Sequence, residues 1–200
     1  MEKKQRTISA LHVSRSTTSL LCLAVCVSFL VLVVPALATS RAIHNVPSVV
    51  APDDTTSADA ILAALYDVIS GPAGQKRNWD RMRSLFLPSG KLIGTGRRPD
   101  GMYGHRSMTV EDYITANAKF LEDGGFFEKE IGRHTDTYGN ILQVFSAYET
   151  RRVASDPKPF MRGINSIQLW NDGKRWWIVN VFWQSENPQQ PLPEQYLKKE

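Results

Sequence analysis

The amino-acid sequence predicts an α+β fold, in which N-terminal helices pack on one face of an antiparallel sheet. Apolar residues recur at helical spacing in the first half of the chain, and from residue 126 the pattern changes to the alternation typical of strands. Four strand-like segments then follow one another with short connections. The last of these, RWWIVNVFW (175–183), carries Trp176 and Trp177 on opposite faces, so we expect both faces of the sheet to be covered.

The first 38 residues have the layout of a secretory signal peptide. A basic stretch precedes the apolar run 20–34, and Ala36 and Ala38 form a small-residue cleavage site. The run of about 15 residues is shorter than the ~20 that span a membrane comfortably. We therefore predict export, to the periplasm or out of the cell, with cleavage near Ala38. The alternative is an uncleaved signal that anchors the protein through residues 19–38.

Removal of this leader changes the charge of the chain. Residues 1–38 contain four of the 24 basic residues and one of the 20 acidic residues, which leaves 20 basic and 19 acidic residues. This near-neutral balance argues against nucleic acid as a partner. Cys22 and Cys26 also lie in the leader, so the mature domain is expected to fold on its apolar core without a disulfide.

The mature chain divides into three predicted parts. Residues 39–56 show no hydrophobic period and are predicted to be a flexible linker. Residues 57–186 are expected to form the folded domain, and residues 187–200 a Pro-rich, extended C-terminal tail. The domain begins with a helix that Ser57 caps and that ends at Gly71.

Two further helices are predicted before the main strands. Asn78 is the expected cap of a short helix, and a short strand follows within residues 87–94. Residues 94–107 are expected to be a mobile, glycine-rich loop. Thr109 and Asp112 form a capping box for the third helix. Four basic side chains of the loop are candidate contacts for an anionic ligand, with a solvated loop as the alternative: Arg97, Arg98, His105 and Arg106.

The strand meander is predicted to comprise residues 126–134, 140–153, 162–170 and 175–183. Asp172 and Gly173 are a strong signal for a two-residue hairpin turn between the last two strands. Such a turn fixes a register in which Asn165 lies directly across from Asn180. These two amides among aliphatic side chains either bond each other or point into a cavity and hold a ligand or a water molecule.

This register distributes the aromatic side chains over two faces. Trp170, Trp177 and Trp183 share one face, which is a candidate homodimer interface because a two-fold dimer needs a self-complementary patch. The alternative is that the C-terminal tail folds back and covers one face. Trp176 and Phe182 share the other face with the two asparagines, and we expect this face to contribute to a pocket.

These segments resemble the nuclear transport factor 2-like (SnoaL-like) superfamily, most closely an exported bacterial branch of uncharacterised proteins. The resemblance is carried by VFSAYETRR (144–152), MRGINSIQLWNDGKRWWIVNVFWQSE (161–186) and PLPEQYL (191–197), and it covers about residues 57–197. It implies a cone-shaped fold, in which helices pack on a strongly bent antiparallel sheet and a pocket lies at the open end. It also implies that dimers through the outer face of the sheet are common.

The superfamily includes ketosteroid isomerase, polyketide cyclases, limonene epoxide hydrolase and scytalone dehydratase, which use acid/base residues in an apolar pocket. No position in this chain matches the catalytic motifs of those enzymes, so the catalytic residues stay unassigned. Glu130 and His134 have a purely structural alternative, as charged residues at a sheet edge. The candidate pocket residues are Tyr66, Glu130, His134, Tyr148, Asn165, Asn180, Trp176 and Phe182.

Three functional hypotheses remain. No metal or cofactor is predicted, because the mature domain has no cysteine and His105 and His134 lack the spacing of metal ligands. The first hypothesis is an exported small-molecule-binding domain with an apolar pocket. The second is an isomerase-, dehydratase- or cyclase-type enzyme that uses pocket acid/base residues. The third is a dimeric scaffold whose C-terminal tail docks a partner.

Overall fold

The computed structural model describes residues 54–197, so the predicted signal peptide and all but the last three residues of the predicted linker lie outside the described residues. Within this range three α-helices and six strands form an α+β fold, which confirms the predicted fold class. The helices are α1 (Ala58–Ile69), α2 (Trp79–Leu85) and α3 (Val110–Asp123). The strands are β1 (Phe86–Arg97), β2 (Tyr103–Met108), β3 (Phe127–Tyr138), β4 (Ile141–Arg151), β5 (Met161–Asn171) and β6 (Trp176–Ser185).

The six strands form one open sheet in the order β2-β1-β6-β5-β4-β3. Neighbouring strands run antiparallel except β1 and β6, which are parallel. The prediction of a purely antiparallel sheet is therefore wrong at this one junction. No tight turn joins β1 to β6, so nothing forces the two strands to run in opposite directions. The helices pack against one face of the sheet, the inner face, and the opposite face is the outer face.

All three helices begin at their predicted caps, which satisfy N–H groups that have no partner within the helix. The Ser57 hydroxyl accepts a hydrogen bond from the Ala60 N–H at 3.0 Å. The Asn78 side chain accepts one from the Arg81 N–H at 3.0 Å. The predicted capping box of α3 is confirmed as well, with both of its reciprocal hydrogen bonds present.

Residues 94–107 are the β1–β2 hairpin, and the prediction of a loop is wrong there. Glycines inside a strand pattern also mark places where another group comes very close to the backbone. Gly94 is such a place, because a Cβ atom added to it would lie 2.8 Å from the ring of Trp183. Gly101, with φ near 83°, supplies the left-handed residue of the turn.

The β5–β6 hairpin has a different register from the predicted one. Its turn spans four residues, 172–175, instead of two. A bulge at Val179 adds one unpaired residue to β6. Asn165 therefore lies across from Trp183, and the predicted pairing of Asn165 with Asn180 is wrong.

The bulge moves the residues that follow it to the other face, because the side chains of a strand alternate between faces. Trp170 and Trp177 are paired on the outer face. Trp183, which was expected to share that face, lies on the inner face against the core. Asn180 and Phe182, expected on the pocket side, lie on the outer face instead.

The core fills the space between the helices and the inner face of the sheet. A buried arginine, Arg77, ties the end of α1 to the end of α3. Its guanidinium donates to the carbonyl oxygens of Ile69 at 3.0 Å, Gly71 at 2.7 Å and Leu121 at 2.7 Å. Because every one of these acceptors is a backbone carbonyl, the cation serves as a connector between chain segments.

The C-terminal tail folds back onto part of the outer face. The ring of Tyr196 lies 5.4 Å from the ring of Phe145 on β4. Gly132 on β3 permits this approach, because an added Cβ atom would lie 2.3 Å from the Tyr196 carbonyl oxygen. Beyond the tail the outer face keeps large exposed apolar side chains, among them Ile141 and Trp170.

Candidate functional site

A cavity of about 150 Å³ lies between α1, α3 and the inner face of the sheet. Most of its wall is apolar and comes from both helices and strands, including Leu65, Ile69, Leu92, Phe126, Val181 and Trp183. Its polar groups are Tyr66, Tyr113, Asn117, Glu128, Tyr148 and Asn165. An apolar wall with a few polar groups is the usual composition of a small-molecule site.

Glu128 on β3 provides the one carboxylate of the lining. Its backbone N–H donates to the Ser70 hydroxyl at 3.0 Å, which fixes the strand against the end of α1. The Thr150 hydroxyl donates to Oε2 at 3.1 Å, and Asn165 Nδ2 approaches Oε1 at 3.4 Å. Two neutral donors therefore hold the carboxylate in place.

Burial raises the pKa of Glu128 to about 7, and the hydrogen bonds from Thr150 and Asn165 offset only part of this effect. A carboxyl group in an apolar surrounding prefers its neutral form, because desolvation penalises the charge. Near neutral pH the side chain is therefore close to the middle of its titration. It can accept a proton from a ligand or donate one to it.

Two tyrosines beside Glu128 stay protonated over the physiological range. Burial raises the pKa of Tyr148 to about 12, and its hydroxyl lies 3.2 Å from the Ser185 hydroxyl. Burial and the charge of Glu128 both raise the pKa of Tyr113 as well. The ring of Tyr113 packs edge-on against Trp183, with 6.3 Å between the ring centres. The cavity therefore combines one titrating carboxyl group with these two neutral phenols and that of Tyr66.

Tyr66 is part of a hydrogen-bond chain that runs away from the cavity. Asn165 Nδ2 donates to the Tyr66 hydroxyl at 3.1 Å, and that hydroxyl lies 2.6 Å from the Ser146 hydroxyl. Ser146 donates its own proton to Glu130 at 2.5 Å. Tyr66 must therefore donate to Ser146, so it offers the cavity only an oxygen lone pair.

Three of the predicted pocket residues line the cavity: Tyr66, Tyr148 and Asn165. Glu130 lies one hydrogen bond behind them, and Arg133 holds it at 2.8 Å on its far side. His134 lies outside the cavity, exposed on β3, with Nε2 3.5 Å from Asp136.

The remaining predicted residues lie elsewhere. Trp176 packs against the core and does not line the cavity. Asn180 and Phe182 are on the outer face because of the bulge at Val179. Of the predicted interface residues, Trp170 and Trp177 are on the outer face, whereas Trp183 lines the cavity.

The predicted pocket set lacked Glu128, Tyr113 and Asn117, which line the cavity, and Thr150, which donates to Glu128. Glu128 shares its strand face with Glu130, and strand alternation alone does not decide which of the two meets the cavity. The available signal was Phe126, a bulky apolar residue two positions earlier on the same face, which marks that face as inward at this end of the strand. Tyr113 and Asn117, four residues apart on α3, are neighbours on one helix face.

Residues 54–197 contain neither a metal-binding cluster nor a membrane-spanning helix. No group of three or more His, Cys, Asp or Glu side chains in that range is arranged to hold a metal ion. No helix in the same range is long and apolar enough to cross a membrane.

Comparison with known proteins finds no family model and no curated protein that matches the chain. Solved structures do match. One is an NTF-2 like protein of unknown function from Silicibacter pomeroyi, with 14% identity and a TM-score of 0.41 over 64% of this chain and 92% of that chain. Another is a protein of unknown function with a cystatin-like fold from Nostoc punctiforme, with 14% identity and a TM-score of 0.47 over 69% and 98%.

A third is described as a putative ketosteroid isomerase from Parabacteroides distasonis, with 11% identity and a TM-score of 0.46 over 68% of this chain and 98% of that chain. All three likenesses have identities of 14% or less and TM-scores of 0.47 or less, so the resemblance to the nuclear transport factor 2-like superfamily and to its exported branch stays a prediction. Similarity at this level carries no information about the ligand or the activity of this chain.

Proposed function

We propose that this protein binds a small, largely apolar molecule in the cavity, about the size of a single six-membered ring. An apolar cavity of about 150 Å³ is known to accept benzene, and the volume here is the same. The polar groups at one end would orient the ligand, because a few placed polar groups in an apolar wall fix the direction of binding.

The observation that supports this proposal best is the position of Glu128. A carboxyl group inside an apolar wall is costly, since it loses hydration that Thr150 and Asn165 replace only in part. Strongly perturbed ionisable groups in cavities are enriched at functional sites. The Glu128 backbone N–H donates to the Ser70 hydroxyl, and this bond fixes the position of β3 from which the carboxyl group reaches the cavity.

Binding can be tested by two-dimensional NMR of the labelled chain during titration with cyclohexanol. We expect shifts confined to the cavity lining. Asn117→Phe should abolish them by filling the cavity, whereas Ala116→Phe, an exposed neighbour on α3, should leave them intact. Shifts that persist in Asn117→Phe would place the ligand elsewhere and would contradict the proposal.

A second candidate function is acid/base catalysis, which the pKa of Glu128 favours. A group with a pKa near the working pH is the most effective general base, and that of Glu128 is about 7. Glu128 would remove a proton next to a ring carbonyl, while a neutral phenol, Tyr113 or Tyr148, would donate to the oxygen. Deuterium exchange into cyclohexanone, followed by NMR, tests this. Glu128→Gln should abolish any exchange above the buffer rate, and equal rates in both proteins would exclude the mechanism.

We also propose that the protein is exported through residues 1–38 and forms a homodimer through the outer face. The three-part layout of the leader supports export. The exposed Ile141, Trp170 and Phe182 support a dimer, because large exposed apolar groups mark interaction sites. Native mass spectrometry of protein recovered from the cell envelope measures both the N-terminus and the mass. An N-terminus at Met1 or a monomer mass would contradict the respective proposal.

A further inference from the structure

The cavity contains a carboxylate that forms no ion pair with the described residues. Glu128 is the single charged side chain of the lining, and its partners Thr150 and Asn165 are neutral. In the described part of the chain no lysine, arginine or histidine forms an ion pair with it. A negative charge in this cavity therefore has no counter-ion among residues 54–197.

Three other carboxylates that are buried or partly buried each have an arginine partner. Glu130 is paired with Arg133 at 2.8 Å, and Asp54 is paired with Arg81 at 2.7 Å. Glu186 is likewise paired with an arginine at 2.9 Å. Because buried charges are normally paired, a charged Glu128 is left without the cation that these three carboxylates have.

The walls of the cavity would also favour a cation. Five of the lining side chains are aromatic rings in addition to Tyr66: Tyr113, Phe120, Phe126, Tyr148 and Trp183. Aromatic rings attract an ammonium group through their negative faces, and this attraction is strongest where water is excluded. A carboxylate at one end of an aromatic box is thus suited to a positively charged head on a small apolar body.

We propose that the ligand of this cavity is a small organic cation, a primary amine on a single ring or a chain of similar size, whose ammonium group pairs with Glu128. This rests on the proposed binding function and names its ligand class. The ammonium group donates to the carboxylate and to the side-chain oxygen of Asn165. The side-chain N–H groups of Asn165 already donate to Tyr66 and Glu128, so the oxygen is the atom that remains for the ligand.

Three probes of equal size separate this ligand class from its rivals: cyclohexylamine, cyclohexanol and cyclohexanecarboxylate. With the full chain at about pH 8 we expect cyclohexylamine to bind at least about tenfold more tightly than cyclohexanol, and the carboxylate not to bind. Glu128→Gln should remove this preference. Glu149→Gln, the same change on β4 where the carboxylate is paired with Arg151, should keep it.

A second measurement needs no variant. Pairing with a cation favours the ionised form of Glu128, so cyclohexylamine should displace up to one proton per site at about pH 6 and cyclohexanol none. Calorimetry in buffers of different ionisation enthalpy measures this number. Binding of cyclohexanol without preference for the amine, or amine binding without proton release, would overturn the ligand class and leave the proposed function intact. Binding of none of the three probes would overturn both.

Discussion

The side chain of Glu128 illustrates how much a residue depends on the groups around it. Two positions further on the same strand, Glu130 is paired with Arg133 and bonded to Ser146, and it has the role of a structural acceptor. Glu128 meets an apolar wall instead, and burial raises its pKa to about 7. Residues of identical chemistry therefore take different roles because one faces a cation and the other a cavity.

The raised pKa predicts a pH dependence of stability with a definite sign. The folded state binds the proton of Glu128 more tightly than the unfolded state, so the unfolding free energy falls as the pH rises from about 4.5 to about 7. Glu128→Gln cannot titrate and should gain stability relative to wild type by on the order of 3 kcal/mol by pH 8. Urea unfolding of both proteins across this range measures the difference.

The control for this prediction is Glu149→Gln. Arg151 lowers the pKa of Glu149, so this group is ionised throughout the same range and stabilises the folded state there. The stability of Glu149→Gln relative to wild type should be lower and nearly constant from about pH 5.5 to pH 8. A Glu128→Gln difference that is equally constant would show that Glu128 does not titrate near neutrality.

The hydroxyl of Tyr66 should matter for stability more than for ligand contact. Tyr66→Phe removes one hydrogen-bond partner each from Asn165 and Ser146, which keep their bonds to Glu128 and Glu130, and we expect a loss of about 1–2 kcal/mol in unfolding free energy. Tyr138→Phe, at a position that is 85% exposed, should change stability by less than ~0.5 kcal/mol. Equal stabilities of the two variants in denaturant titrations would refute the hydrogen-bond chain through Ser146.

At the scale of elements, the helices follow from local signals and the sheet does not. Ser57, Asn78 and Thr109 act within three residues of themselves, so the caps are legible in the sequence. The parallel pairing of β1 with β6 depends on residues almost 90 positions apart. The turn at 172–175 is held by hydrogen bonds from the Lys174 and Arg175 N–H groups to Asp172 Oδ1, both at 2.8 Å. The bulge at Val179 has no such local signal in the sequence.

The same difference between local and long-range signals explains which residues of the candidate site were predicted. Tyr66, Tyr148 and Asn165 were predictable because their helix and strands were, and each faces the cavity. Asn180 and Phe182 were misplaced because both follow the bulge. Glu128 was missed because strand alternation treats it and Glu130 alike, and Phe126 was the one sequence signal that favoured Glu128.

The packing of the tail on β3 gives a prediction at the scale of elements. Gly132→Ala would force a Cβ atom against the Tyr196 backbone, so the tail should detach while the sheet stays folded. Limited proteolysis should then cleave the tail faster than in wild type. Gly96→Ala is the control, since open space surrounds that position and the rate of cleavage should not change. Unchanged protection in Gly132→Ala would contradict the docked tail.

At the scale of the whole molecule, Arg77 adds side-chain hydrogen bonds where the chain after α1 and the chain after α3 are already paired by one bridge between Gly71 and Phe126. Its guanidinium draws together the end of α1 and the end of α3, and both helices contribute to the cavity. Burial lowers the pKa of this arginine, which indicates the cost of placing its charge here. The carbonyl groups that surround it recover this cost only while all of them stay in reach.

Arg77→Met should therefore destabilise the domain by roughly 3 kcal/mol or more, because several buried carbonyl groups lose their donor at once. Arg97→Met removes an exposed arginine from the β1–β2 hairpin and should have little effect. Thermal unfolding of both variants tests this. A change of similar size in the two proteins would show that the connection through Arg77 is dispensable.

The bulge at Val179 has a consequence for how such chains can be compared and changed. Which side chains of β6 face the cavity is set there by the number of residues and not by their chemistry. Deletion of Val179 alone would turn Trp183 outward and Phe182 inward, although no other residue of the sequence changes. A gapless alignment with a relative that lacks the bulge would therefore match interior positions to exterior ones. The loss of one codon during evolution would be enough to move cavity-lining side chains of β6 to the outer face.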